Sequence, residues 1–226
     1  SHAASIAQPV GVALADQGLA LKEFSLGGCP PIPDVINILQ MTNTTARKSE
    51  NCSDYTAKVL DYILADPNLE IVVLYAYWNN YTERRDFDAG NGRFKTDKLY
   101  SIPVGNASEM PEPDRLSALS SRLSDEVGAL LAAGKQVLIV YPLPEAPFEV
   151  PQTYAWALWK DRVTEADTSI PRSAFDNYSA SSRQMLDALG HPDGLHRIEV
   201  SQNLCDASRC RLVADSGEVL YRDANH

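Results

Sequence analysis

The sequence predicts an α/β domain built on a parallel sheet with helices on both faces. Three observations predict it. Two apolar runs, Glu70–Trp78 and Gln136–Tyr141, are continuous rather than alternating, as in strands buried on both faces. Segments with helical apolar spacing alternate with these runs. At 226 residues the chain is long enough to bury one full core. No internal repeat or second domain is evident, so residues 1–226 read as one domain.

Residues 3–17 carry helical apolar spacing at Ile6, Val10 and Leu14, with Pro9 near the start and Gly18 as the stop. Leu19–Phe24 alternates like a short strand. Ser25–Pro31 is a loop rich in chain-turning residues. Residues 53–65 form a second helix, halted by Asp66-Pro67-Asn68. After the strand at 70–78, residues 79–111 read as a long polar loop. Leu116, Leu119, Leu123, Val127 and Leu130 stripe a helix over 113–133, which Gly134 caps. The strand at 136–141 exits through an irregular Pro142–Pro147 segment. Residues 150–170 fit no single pattern. A helix over 172–189 and a strand over Arg197–Val200 follow. The tail ends in two short strand-like pieces that reach Tyr221-Arg222-Asp223.

Composition narrows the function classes. Hydrophobic residues make up 44% and charged residues 22%, the balance of a globular protein. The net charge is −10 and the cations are scattered, which argues against nucleic acid as a partner. The longest apolar runs are too short to span a bilayer. The chain starts without Met, so it is expected to be a piece of a longer protein.

Four cysteines fall into two sequence-local pairs. Four allow three connectivities; Cys29–Cys52 with Cys205–Cys210 closes the shortest loops and is preferred. A zinc site competes, but the spacings fit it poorly and no histidine lies beside a cysteine pair. Disulfides would place the domain in an oxidising compartment, such as the periplasm or the cell exterior.

Parallel α/β sheets bind ligands where strands end and loops begin. Gly27-Gly28, Trp78-Asn79-Asn80, Pro142–Pro147 and Asp223–His226 fall at such points. Asp223 and His226 lie three apart at one end of the chain, and Ser1 lies at the other. Brought together, they have the residue types of nucleophilic acyl chemistry. The histidine takes the serine proton, and the aspartate orients the imidazole and stabilises its charged form. Ser1-His2-Ala3-Ala4-Ser5 is similar to the end of a G-D-S-H-A-A-S segment. Ser25-Leu26-Gly27-Gly28-Cys29-Pro30-Pro31 resembles an S-G-C-P-P block. Leu74–Trp78 resembles a strand ending in tryptophan, and Tyr221–His226 a Y-R-D-x-x-H block. Together, in this order, they resemble the SGNH hydrolase-like domain fused behind bacterial membrane O-acyltransferases that acylate surface polysaccharides such as lipopolysaccharide.

The resemblance implies a flavodoxin-like three-layer α/β/α sandwich with a central parallel sheet. It implies O-acyl transfer, acetyl foremost, onto a polysaccharide hydroxyl, with the acyl donor presented by a fused or associated membrane acyltransferase domain. It therefore implies a periplasmic domain of an inner-membrane protein. Ser1 matches the nucleophile, His226 the general base and Asp223 its orienting partner. The backbone N–H groups of Ser1 and Gly28 match oxyanion-hole donors. Related enzymes add an asparagine side chain, a place for which this sequence offers Asn79 or, one residue off in register, Trp78. The implied chemistry needs no cofactor and no metal. Two further readings use the same residues: a carbohydrate esterase with the same triad, and a non-catalytic glycan-binding module. Arg84, Arg85 and Arg93 are candidates for an anionic sugar or the membrane domain, or belong to a solvated loop. Trp156 and Trp159 would either stack on a sugar or, more simply, pack in the core.

Overall fold

The computed structural model describes residues 2–27, 29–37, 43–83, 87, 100–101 and 112–224. Its elements run α1 (His2–Ala15), β1 (Ile36–Asn37), α2 (Asn43–Ala65), β2 (Ile71–Leu74), α3 (Trp78–Thr82), β3 (Tyr100–Ser101), α4 (Glu112–Ala132) and β4 (Gln136–Val140). There follow α5 (Val150–Trp159), α6 (Glu165–Thr168), β5 (Ser169–Pro171), α7 (Arg172–Tyr178), α8 (Ala180–Asp187), β6 (Leu195–Ile198), α9 (Ser201–Leu204) and β7 (Arg209–Arg211).

The central sheet is parallel, with strand order β2-β4-β6. Val72 lies opposite Val137, Val137 opposite Leu195, and Leu74 opposite Ile139. Side chains alternate along a strand, so these five share one face. That face is buried under the predicted stripe of α4, namely Leu119, Leu123, Val127 and Leu130, with Leu186 of α8 and Leu60 and Ile63 of α2. On the opposite face Ile71 and Val73 are 53% and 40% exposed. The expectation of a strand covered on both faces therefore holds for half of β2. Apolar continuity states what each side chain would tolerate, while the neighbours of the strand decide what is covered.

A second apolar cluster surrounds the tail. Phe148, Val150, Ile170, Phe175, Cys210, Leu212 and Tyr221 pack there with Phe87 and Tyr178, whose rings meet edge-on. β5 and β7 pair antiparallel beneath it.

Several boundaries differ from expectation. Leu19–Phe24 has no ladder partner among the described residues and is not a strand. The long polar loop opens with a helix, α3, and contains β3, which pairs with β1. The unassigned 150–170 stretch is α5, α6 and the start of β5. The helix over 172–189 is two helices, broken at Ser179, whose N–H and hydroxyl both donate to the Phe175 carbonyl at 2.9 Å, a back-bond that bends helices. The third strand begins two residues earlier, after Gly194 at φ 85°. Both expected disulfides form, Cys29–Cys52 and Cys205–Cys210. Among the described residues no helix is long and apolar enough to cross a membrane.

Candidate active site

β2 and β4 end side by side, and each hands the chain to a segment that carries polar side chains inward. Trp78, the first residue of α3, is fully buried and its indole N–H donates to the Val140 carbonyl at 2.8 Å. This bond locks the start of α3 to the end of β4. The next residue, Asn79, is 1% exposed. Its amide Nδ2 donates to Glu145 Oε1 at 2.7 Å, and its Oδ1 accepts from the Ser182 hydroxyl at 2.7 Å. Ser182 has one proton and gives it to Asn79, so Thr82 is the donor in the 2.7 Å Thr82–Ser182 pair. The Tyr77 hydroxyl donates to the second Glu145 oxygen. Glu145, itself buried, thus joins the exits of both strands.

Arg115 fixes the far end of α3. Its guanidinium is 1% exposed and donates to the Tyr81 and Thr82 carbonyls at 2.8 and 2.7 Å. These are carbonyls that the helix end leaves without intrahelical partners, and the cation also suits the negative pole of the helix.

The tail docks on the same segment. The Tyr221 hydroxyl donates to the Pro144 carbonyl at 2.8 Å, and the Ala146 N–H donates to the Ala224 carbonyl at 2.8 Å. Burial, with the charges of Tyr75 and Glu145 adding, holds the Tyr221 phenol above its usual range. Burial pushes Tyr75 up to about 12. Tyr221 therefore remains a neutral donor under any ordinary condition. Between Tyr221 and Ala224, Asp223 is half-buried. The loop before Cys29 reaches the same region. The Cys29 N–H closes a turn onto the Leu26 carbonyl at 3.0 Å, its disulfide ties it to α2, and the Cys29 carbonyl accepts from the Tyr81 hydroxyl at 3.3 Å.

Of the residues expected from sequence, Asn79 therefore lies past the end of β2, and Asp223 lies between two tail residues that bond to the segment leaving β4. Ser1, Gly28 and His226 lie outside the described residues, as do Arg84, Arg85 and Arg93. Asn79 has given one of its two amide hydrogens to Glu145. Trp78 and Asn79 are both inside, so burial does not separate them as candidates for the asparagine position.

Residues 1–226 match the family described as the SGNH domain fused to AT3 domains. The chain belongs to that family. Among solved structures this SGNH domain is similar to the periplasmic domain of a lipopolysaccharide acetyltransferase from Salmonella ser. Paratyphi A. The two chains are 12% identical, with a TM-score of 0.56 over 96% of this chain and 70% of that one. At that identity the likeness is one of fold. No curated protein matches the chain. The AT3 fusion supports a membrane acyltransferase as partner domain, and the two disulfides fit an extracytoplasmic setting.

Sequence reasoning missed Glu145, Ser182 and Arg115. For Glu145 a signal was available: it is the only charge in Pro142–Pro147, directly after a buried strand. Nothing local marks Ser182 or Arg115. Each sits in an ordinary helical pattern and meets α3 only in the folded chain.

Proposed function

We propose that this SGNH domain transfers an acyl group, acetyl foremost, onto a hydroxyl of a bacterial polysaccharide in the periplasm, using a serine acyl-enzyme. The observation that carries the reading is the family match along the whole chain, with its fusion to AT3 domains. The docking of the tail on the segment that leaves β4 supports it, because Asp223 adjoins Ala224, whose carbonyl Ala146 holds on the side where parallel sheets hold their ligands.

In this reading the Ser1 hydroxyl oxygen attacks the carbonyl of an acyl donor presented by the membrane acyltransferase domain. His226 takes the serine proton as the C–O bond forms, and Asp223 orients the imidazole and stabilises its charge. The oxyanion is met by the N–H groups of Ser1 and Gly28 and by the second amide hydrogen of Asn79. Each such donor contributes about 3 kcal/mol to the transition state. Collapse breaks the bond to the donor, whose leaving group takes the proton from His226. A sugar hydroxyl then attacks the acyl-serine while giving its proton to His226, and Ser1 leaves with that proton.

The test uses p-nitrophenyl acetate and a serine-reactive fluorophosphonate, followed by peptide mass mapping. Turnover and an adduct on Ser1 are expected, both abolished in His226→Ala. No turnover and no adduct on folded protein would sink the catalytic reading. With an oligosaccharide acceptor present, a mass gain on the sugar distinguishes transfer from hydrolysis.

A further inference from the structure

Four large apolar side chains stand exposed within eight positions at one end of α5: Trp156 at 56%, Leu158 at 54%, Trp159 at 74% and Val163 at 42%. The expectation that the two tryptophans pack in the core is thereby overturned. The Trp156 and Trp159 rings lie 4.9 Å apart at 37°. Lys160 Nζ sits 4.1 Å over the Trp156 ring. The helix end that carries them is closed by two bonds, from the Asp161 N–H to the Leu158 carbonyl and from the Arg162 N–H to the Ala157 carbonyl. The tip is therefore held in shape.

Its shape and chemistry choose among ligands. A sugar platform needs an open ring face, and Lys160 occupies one face of Trp156. Leu158 lies two positions from Trp156, off the face shared by positions 156, 159 and 160, and Val163 lies beyond the cap. The apolar surface therefore wraps the end of the helix instead of forming a plane. Tryptophans flanked by aliphatic side chains, with cations on flexible stems, are the composition of a membrane–water interface. Lys160 and Arg162 can reach headgroup phosphates. The acids beside the tip are engaged: Glu165 pairs with Arg209 at 2.9 Å, and Asp167 accepts from the Thr164 N–H and hydroxyl. The Glu165–Arg209 pair cancels itself, and Lys160 and Arg162 balance Asp161 and Asp167, so the tip is locally neutral on a chain of net charge −10. A surface that meets this protein as a bilayer must use such a local feature, because the whole molecule is repelled by anionic lipid. The family is fused to a membrane acyltransferase domain, which keeps a bilayer within reach.

We propose that the tip of α5 docks on a phospholipid bilayer, with Trp156, Trp159, Leu158 and Val163 seated among the headgroups and Lys160 and Arg162 on their phosphates. α5 starts four residues after Ala146 and is about 15 Å long at 1.5 Å per residue. A docked tip therefore fixes the height of the strand ends above the membrane.

The test needs no activity and so fails independently of the proposed transferase chemistry. The 226-residue chain is mixed with vesicles of phosphatidylcholine, with and without phosphatidylglycerol, then sedimented, and tryptophan emission is recorded. Trp78 is fully buried, so a change in emission reports Trp156 and Trp159. Expected are co-sedimentation, a blue shift, and quenching by brominated lipid. The Trp156→Ala/Trp159→Ala variant should partition at least about tenfold less, from the apolar area no longer buried. Lys160→Ser and Arg162→Ser should each weaken binding to phosphatidylglycerol vesicles about fivefold. Unchanged circular dichroism shows that the variants remain folded. Three results overturn the proposal: no binding to either vesicle, binding that the double tryptophan variant retains, or a shift produced by soluble polysaccharide and not by vesicles.

Discussion

At the scale of single residues, the buried polar side chains among the described residues divide into those with partners and one, Glu126, with an oxygen that has none. Glu145 accepts from Tyr77 and Asn79, and the N–H of the following residue holds the tail. Removing its carboxylate takes the acceptor from the buried Asn79 amide and from the part-buried Tyr77 hydroxyl, at about 1–3 kcal/mol for a buried donor and less for a part-buried one. Glu145→Ala is therefore expected to lose about 2–4 kcal/mol in urea unfolding, while Glu145→Gln, which keeps one acceptor, loses less. Glu126 is the opposite case. Its Oε2 is buried with no hydrogen-bond partner, and burial pushes its carboxyl from 4.5 up to about 8. The folded chain binds this proton more tightly than the unfolded chain does. The stabilisation is complete below about pH 4.5 and is lost as pH rises to about 8. Glu126→Gln should thus match the parent protein near pH 4.5 and exceed it by a few kcal/mol above pH 8. Thermal unfolding across that range checks it; a pH-independent difference would refute the buried-acid account.

At the scale of elements, helix ends repeat one device. α1 ends with Gly18 at φ 72° and α4 with Gly134 at φ 78°, and in both caps the next residue reaches back to a carbonyl five positions earlier. α5 ends with the same bonds, but the left-handed position is held by Asp161 at φ 49°. Aspartate tolerates this conformation better than most residues, and a β-branched side chain does not. Asp161→Val is expected to cost about 1–2 kcal/mol, and Asp161→Gly to be neutral or to gain under about 1 kcal/mol. Chemical denaturation of the two variants decides this. Equal losses would mean that the aspartate side chain, rather than its backbone, holds the tip.

At the scale of the whole molecule, the disulfides do different amounts of work. Cys29–Cys52 closes a loop with a separation of 23 and joins the Gly27 turn to α2, while Cys205–Cys210 spans only 5. Loop entropy assigns about 3 kcal/mol to the first and about 2 kcal/mol to the second. The double serine variant of the long-range pair should therefore be the less stable of the two by urea unfolding. It should also weaken the candidate site more, because the Cys29 carbonyl accepts from Tyr81 of α3.

The sequence alone determined what is written locally. Apolar continuity located β4, apolar periodicity the stripe of α4, glycines placed the caps of α1 and α4, and short separations paired the cysteines. The ordered blocks at Ser1, Gly28, Trp78 and Asp223–His226 named the family. Only the tertiary structure decided what covers each face. It buried Val72 and Leu74 and left Ile71 and Val73 exposed, and it turned Trp156 and Trp159 outward. It joined Asn79 to Glu145 across 66 positions and to Ser182 across 103. The physical reason is range. A pattern of apolar residues records that a side chain can be covered, and a polar residue that it can be paired. The partner that covers or pairs it is chosen by strand order and helix packing, which no stretch of neighbouring residues contains.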